Sequence, residues 1–262
     1  MKRFFLILLA VMMLVVSCAH AETELRGYDQ KEGYQYVYLG AFPQEADGAV
    51  KPILWRVLSV EDQQAYLLSE YILFNNRVHP DDQEYIAFGA EFNQTEMFKL
   101  LNGPFDGNPI PKGDQDELKK KERLGRVHIA ETSFKEEAFS ENELSMLVTD
   151  DELGTVFLVT ADDLKNREMG FRSAKDRKAY GTAYAMENGL FVYQNGSSPY
   201  WTRSQSQSYA YGTRCTKVDG DLGYIRCVVM NEGCRPAVRL SLEGLSVSGG
   251  SGTMDDPYTF VR

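Results

Sequence analysis

Histidine is nearly missing from this chain. Three occur in 262 residues, and beyond residue 21 only His79 and His128 remain. No HExxH zinc motif can be written from them, and no group of imidazoles sits at metal-ligand spacing. The GxSxG turn of serine hydrolases is absent, so a Ser–His–Asp triad has neither its nucleophile elbow nor a choice of base. Phosphate loops and the GxGxxG dinucleotide fingerprint are missing too. Asp219-Gly220-Asp221 is too short for an EF-hand and lacks the distal Glu, so it reads as a hairpin turn. These gaps leave no catalytic residue, metal site or cofactor to name.

Positive charge is also short, with 28 Lys and Arg against 38 Asp and Glu. A chain this acidic repels phosphate backbones, which excludes nucleic acid as a partner. The one basic run, Lys119 to Arg123, has Asp114, Asp116 and Glu117 beside it and reads as a solvated helix face.

Long apolar runs are confined to the N-terminus. Lys2 and Arg3 precede Phe4 to Val16, a run of 13 residues, too short to span a bilayer comfortably. Ala19-His20-Ala21 fits signal-peptide cleavage after residue 21. Val15-Val16-Ser17-Cys18 equally fits a lipobox, with a lipid anchor at Cys18 as the only membrane attachment. Either way the expected location is extracytoplasmic, secreted or anchored at the cell surface. Cleavage leaves 26 basic and 38 acidic residues, a net charge of −12. The expected organisation is a signal at 1–21, a flexible lead-in at 22–33 and one domain over 34–262.

Cysteine is sparse: Cys215, Cys227 and Cys234 follow Cys18, without a CxxC. Outside the cytoplasm a disulfide is the default. Cys215 and Cys227 lie symmetrically about Asp221, and across a hairpin they would face each other. Cys227 with Cys234 is the alternative pair.

Tyr and Phe are plentiful, 15 and 14, which favours β structure. Strands are expected at Tyr34–Phe42, Ile53–Val60 and Ala65–Ser69, forming a meander. An irregular stretch follows at 71–88, then a helix over Thr95–Asn102. Ser140 and Glu143 form a capping box for a helix running to about Val148. Thr155–Thr160 reads as a buried strand, with Thr160 capping a helix that ends near Gly170. Leu190–Tyr193 is expected to be a short strand. Strands near 208–218, 223–230 and 235–240 close the domain, followed by a flexible Gly249–Thr253 and an edge segment to Phe260. Strands, then two or three helices, then strands give a single α+β domain with a twisted antiparallel sheet.

Several segments occur together and in order: Leu39-Gly40-Ala41-Phe42-Pro43-Gln44, Pro52-Ile53-Leu54-Trp55-Arg56-Val57-Leu58, Leu67-Leu68-Ser69, Phe139-Ser140 with Glu143, Val156-Phe157-Leu158, Tyr184-Ala185, Tyr200-Trp201-Thr202-Arg203-Ser204 and Arg235-Pro236-Ala237-Val238. Over roughly 35–245 this resembles a family of bacterial extracytoplasmic domains of unknown function. Its pattern is FGxYPQ…PIxWRVL…LLS…WLN…FSxxE…VFLL…YA…WWLRSP…GVRPAL. More distantly the family is similar to the C-type-lectin and formylglycine-generating-enzyme fold, which the resemblance implies here. The chain departs from the pattern with an insertion at 106–133, with Gln205 in place of Pro, and with its three cysteines.

Fold does not fix function. Trp55 and Trp201 sit in apolar runs and read first as core; Arg56, Arg203 and Arg235 read first as ion-paired scaffold. The sharper expectation is a polar pocket where Arg203 and Arg235 meet a ligand carboxylate or sugar hydroxyls and Tyr200 or Trp201 stacks. The function expected is an exported binding module for an unknown extracellular ligand: a carbohydrate, a peptide or protein, or an envelope component. A cell-envelope enzyme acting on glycan or protein, and a structural surface domain, are the alternatives.

Overall fold

A computed structural model describes residues 25–103 and 132–262. The expected signal, Cys18, the basic run at 119–123 and most of the expected insertion lie outside the described residues.

The first sheet grows from β1 (Tyr36–Pro43), β2 (Val50–Glu61) and β3 (Gln64–Ser69). In β2 every residue from Ile53 to Leu58 is buried, so its side chains face apolar layers on both sides. Ile53, Trp55 and Val57 enter one core, and Leu58, with Tyr66 and Leu68 of β3, enters another. Asp62 and Gln63 join the two strands with φ of 48° and 59°, and Glu61 pairs with Gln64. A two-residue turn in the left-handed region matches the strand twist.

The remaining strands are β4 (Phe74–Asn75), β5 (Val156–Phe157), β6 (Ala179–Tyr180), β7 (Ser197–Ser198), β8 (Tyr200–Gln205), β9 (Gly212–Thr216), β10 (Leu222–Arg226), β11 (Gly233–Cys234), β12 (Ala237–Ser241), β13 (Ser246–Gly249) and β14 (Thr259–Val261). Two five-stranded sheets result, ordered β1-β2-β3-β12-β5 and β10-β9-β8-β11-β4. Pairing is antiparallel within them except between β11 and β8. The closing strands thus split: β12 completes the first sheet beside β3, whereas β8 to β11 build the second.

Five short helices are described: α1 (Asp82–Ala87), α2 (Glu96–Asn102), α3 (Phe134–Ala138), α4 (Glu141–Met146) and α5 (Ala183–Glu187). Side-chain caps start them. Asp81 accepts from Gln83 and Glu84, Thr95 from Phe98, and Ser133 and Ser140 each sit in a full capping box. The molecule is a single α+β domain of mostly antiparallel, twisted sheet, with five helices rather than two or three.

Some local expectations are corrected. Thr160 does accept from the Asp163 amide, but only a 3-10 turn over Asp163–Lys165 follows. Leu190–Tyr193 forms no strand; Phe191 and Tyr193 instead bond Asn231 and Ser197 by single amides. Gly250, expected in a flexible tail, lies at φ 84° in the β13–β14 hairpin, where a Cβ would come within 2.0 Å of the Pro257 carbonyl. The lead-in is attached: Leu25 is in the core and the Tyr28 amide bonds Leu58 O.

Candidate functional site

The expected ligand residues hold the interior together. Tyr200, Trp201 and Arg235 are all 0 % exposed. Trp201 Nε1 donates to Asn76 O at 2.7 Å, tying β8 to the loop after β4. Tyr200 gives its hydroxyl hydrogen bond to Arg177 O, and Arg235 lies over the Tyr200 ring. Arg203 is half-buried, with its guanidinium over Phe157 instead. The structure therefore joins Tyr200 to Arg235, sets Arg203 on a different ring, and closes Trp201 off from solvent. Buried aromatics and arginines on adjacent strands are used here for packing and hydrogen bonding, which is the correction to the pocket expected at these four residues.

Trp55, Gly40 and Glu143 are scaffold by the same measure. Trp55 Nε1 donates to Leu39 O at 2.8 Å and its ring stacks on Phe139, 6.2 Å between centroids. Glu143 closes its capping box and also takes the Gly40 amide at 2.8 Å. Gly40 sits at φ 69°, and a Cβ there would come within 2.6 Å of Ala138 O. These contacts clamp α3 and α4 onto β1.

The expected disulfide is corrected as well. Cys215, Cys227 and Cys234 are free, buried thiols. In the β9–β10 ladder Gly223 stands opposite Cys215, and Cys227 lies beyond the last pair, Arg226 with Gly212. Symmetry about Asp221 in sequence fails because the ladder is centred on Asp219, with Leu222 facing Thr216 and Gly223 facing Cys215. Cys227 Sγ donates to Asp82 Oδ1 at 3.3 Å. Burial, then that carboxylate, pushes its thiol up to about 12; burial, then the Glu232 charge, does the same to Cys215. Such thiols are poor nucleophiles. His79 lies nearby, but its Nδ1 accepts the Glu96 amide and its Nε2 faces Glu84, so it is occupied on both sides.

What the second sheet offers to solvent lies at its edge. Tyr209, Tyr211 and Tyr224 are 41 %, 37 % and 48 % exposed. Tyr209 and Tyr224 rings lie 4.6 Å apart at 35°, and Tyr209 and Tyr211 lie 5.7 Å apart. Arg226, paired with Asp82, lies over Tyr211 and fixes the outer end of the group. Beside these rings an open basin of about 410 Å³ is lined by Ser206, Gln207, Ser208, Arg214, Lys217 and Tyr224, among others. Tyr224 and Arg214 are directly opposed across β10 and β9, so they share one face, while Thr213 on the other face bonds the buried Tyr85 hydroxyl. Rings, hydroxyls, an amide and two cations thus surround one depression whose size falls in the small-molecule range.

Sequence reasoning missed these tyrosines. The signal was present in strand alternation: with Cys215 and Trp201 facing the core, Arg214 and Tyr224 had to face out.

Comparison with family models, with curated proteins and with solved structures finds no match to this chain.

Proposed function

We propose that the protein is an exported, non-enzymatic binding module whose ligand is a carbohydrate. The sugar ring lies on the Tyr209–Tyr224 platform, and its hydroxyls and any carboxylate turn into the basin of Ser206, Gln207, Arg214 and Lys217. The observation that carries this reading is a pair of solvent-exposed tyrosine rings in contact with each other, one of which, Tyr224, lines that polar basin. An aromatic face takes the C–H side of a sugar, and polar groups at its rim orient the hydroxyls. Export rests on the N-terminal pattern, and a surface role is what the motif resemblance implies.

The chemistry inside the molecule gives an enzyme little to work with. Glu232 is a buried carboxyl pushed up to about 7, but desolvation alone shifts it, so no second carboxylate acts on it. A glycan array followed by isothermal titration tests the proposal. Saturable binding that weakens in Tyr224→Ala supports it; an array with no binder of any glycan class, or binding indifferent to Tyr224 and Tyr209, overturns it.

A further inference from the structure

Arg235 is the most enclosed charge among the described residues, at 0 % exposure. Its Nε donates to Ser69 O at 2.7 Å and its Nη1 reaches the Tyr200 hydroxyl at 3.5 Å. Its Nη2 has no partner. A second buried guanidinium contributes to the same field. Arg56 is also buried, and it holds Glu70 in a fork, 2.6 Å from Nε and 2.5 Å from Nη2. Burial first, and then the Arg56 charge, draws Arg235 below the ordinary arginine range. Two cations therefore share one carboxylate, and that carboxylate is committed to Arg56. Tyr34 lies under the Arg56 guanidinium at 4.6 Å, and Tyr34 and Tyr36 both feel the charge of both arginines. Around the pair are phenols and a backbone carbonyl, groups that disperse positive charge without cancelling it.

Leaving a guanidinium buried with an open N–H and no carboxylate bonded to it is among the costliest arrangements a protein interior can hold. An anion on Nη2 would remove both faults at once. The enclosure limits its size, because Arg235, Tyr200 and Ser69 are all closed to solvent. We propose that Arg235 Nη2 is the anchor of a binding site for one small monovalent anion of the halide class. The site is separate from the tyrosine surface of β9 and β10, and acts on the stability of the junction between the two sheets, since Arg235 lies between β11 and β12 and bonds the end of β3.

The test is thermal melting of the purified protein in sodium chloride, sodium bromide and sodium gluconate at one ionic strength. An anion that binds only the folded state raises the midpoint saturably, by about 3–6 °C at tenfold excess over its dissociation constant. Chloride and bromide are expected to do so and the bulky gluconate is not. General salt effects do not saturate in this way. In Arg235→Met the halide response is expected to vanish. Superimposable wild-type melts in all three salts overturn the proposal, whether or not the variant folds. A bromide-soaked crystal gives a second reading: an anomalous peak within hydrogen-bond reach of Nη2 supports the site, and a water there with no bromide overturns it.

Discussion

The second sheet has two ends that use the same residue types in opposite ways. At β8 and just after β11, Tyr200, Trp201 and Arg235 are sealed, and their polar groups turn inward to backbone carbonyls, apart from the open Nη2 of Arg235. At β9, β10 and the loop before them, Tyr209 and Tyr224 stand at the surface with their rings in contact, and the half-buried Arg214 lines a basin. Aromatic and arginine content is therefore no guide to a ligand site here. The deciding variable is position in the sheet: β8 is flanked by β9 and β11, whereas β10 is an edge strand. The quoted segments are mostly buried, so they describe how the domain folds. The exposed end, which those motifs do not cover, is where binding is to be sought.

The largest contrast between the ends is chemical. Cys215 and Cys227 have thiols pushed up to about 12, burial being the main cause. At pH 8 their thiolate population is about a thousandfold below that of an ordinary cysteine. Labelling with iodoacetamide is expected to be slower by at least that factor in the native protein, and complete within minutes in denaturant. Fast native labelling at either position would place that thiol at the surface and erase the distinction. Trp201→Ala comes next. It empties a fully buried site and removes the Nε1 bond to Asn76, so urea denaturation is expected to register a loss of about 3–5 kcal/mol. Retained folded protein should bind glycan as before; a Trp201 variant that stays stable but loses binding would return the site to the motif.

Glu232 sits between the two ends in sequence and gives the contrast a pH axis. Its carboxyl is raised from the ordinary 4.5 to about 7 by desolvation. A raised carboxyl binds its proton more tightly in the folded state. Its contribution is thus fully present below about pH 4.5 and is lost as pH rises through 7, an effect of about 3 kcal/mol. Glu232→Gln, which cannot ionise, is expected to flatten the stability profile across that window and to be the more stable protein at pH 8. Parallel profiles for the two proteins would show that the carboxyl is solvated.

Much of the frame was legible because local chemistry and final structure agree in it. The β1–β3 meander, the helix ending at Asn102 and the Ser140–Glu143 box all appear where the residues put them. The helix of α1 was hidden because its six residues carry one buried side chain, Tyr85, and so no apolar period. Leu190–Tyr193 carries a strand composition but makes only single amide bonds to its neighbours, and composition cannot show that a ladder is absent. The site was misplaced for a related reason. Tyr200 and Trp201 have the residue types of a sugar platform, and only the flanking of β8 on both sides reveals that they are enclosed.

The smallest expected effect bears most directly on function. Tyr224→Ala removes one ring of the Tyr209–Tyr224 pair from a half-exposed site on an edge strand, where little packing is lost. Its stability is expected to stay within about 0.5 kcal/mol of the parent. Its glycan affinity is expected to fall by about tenfold or somewhat more, the usual weight of one aromatic anchor. Arg214→Ala tests the opposite strand of the same face: it should weaken a carboxylate-bearing sugar more than a neutral one, because only the former uses the guanidinium charge. Titration calorimetry with one acidic and one neutral oligosaccharide separates the two contributions. If both variants bind like the parent while Trp201→Ala does not, ligand recognition belongs to the sealed end and the edge tyrosines are surface decoration.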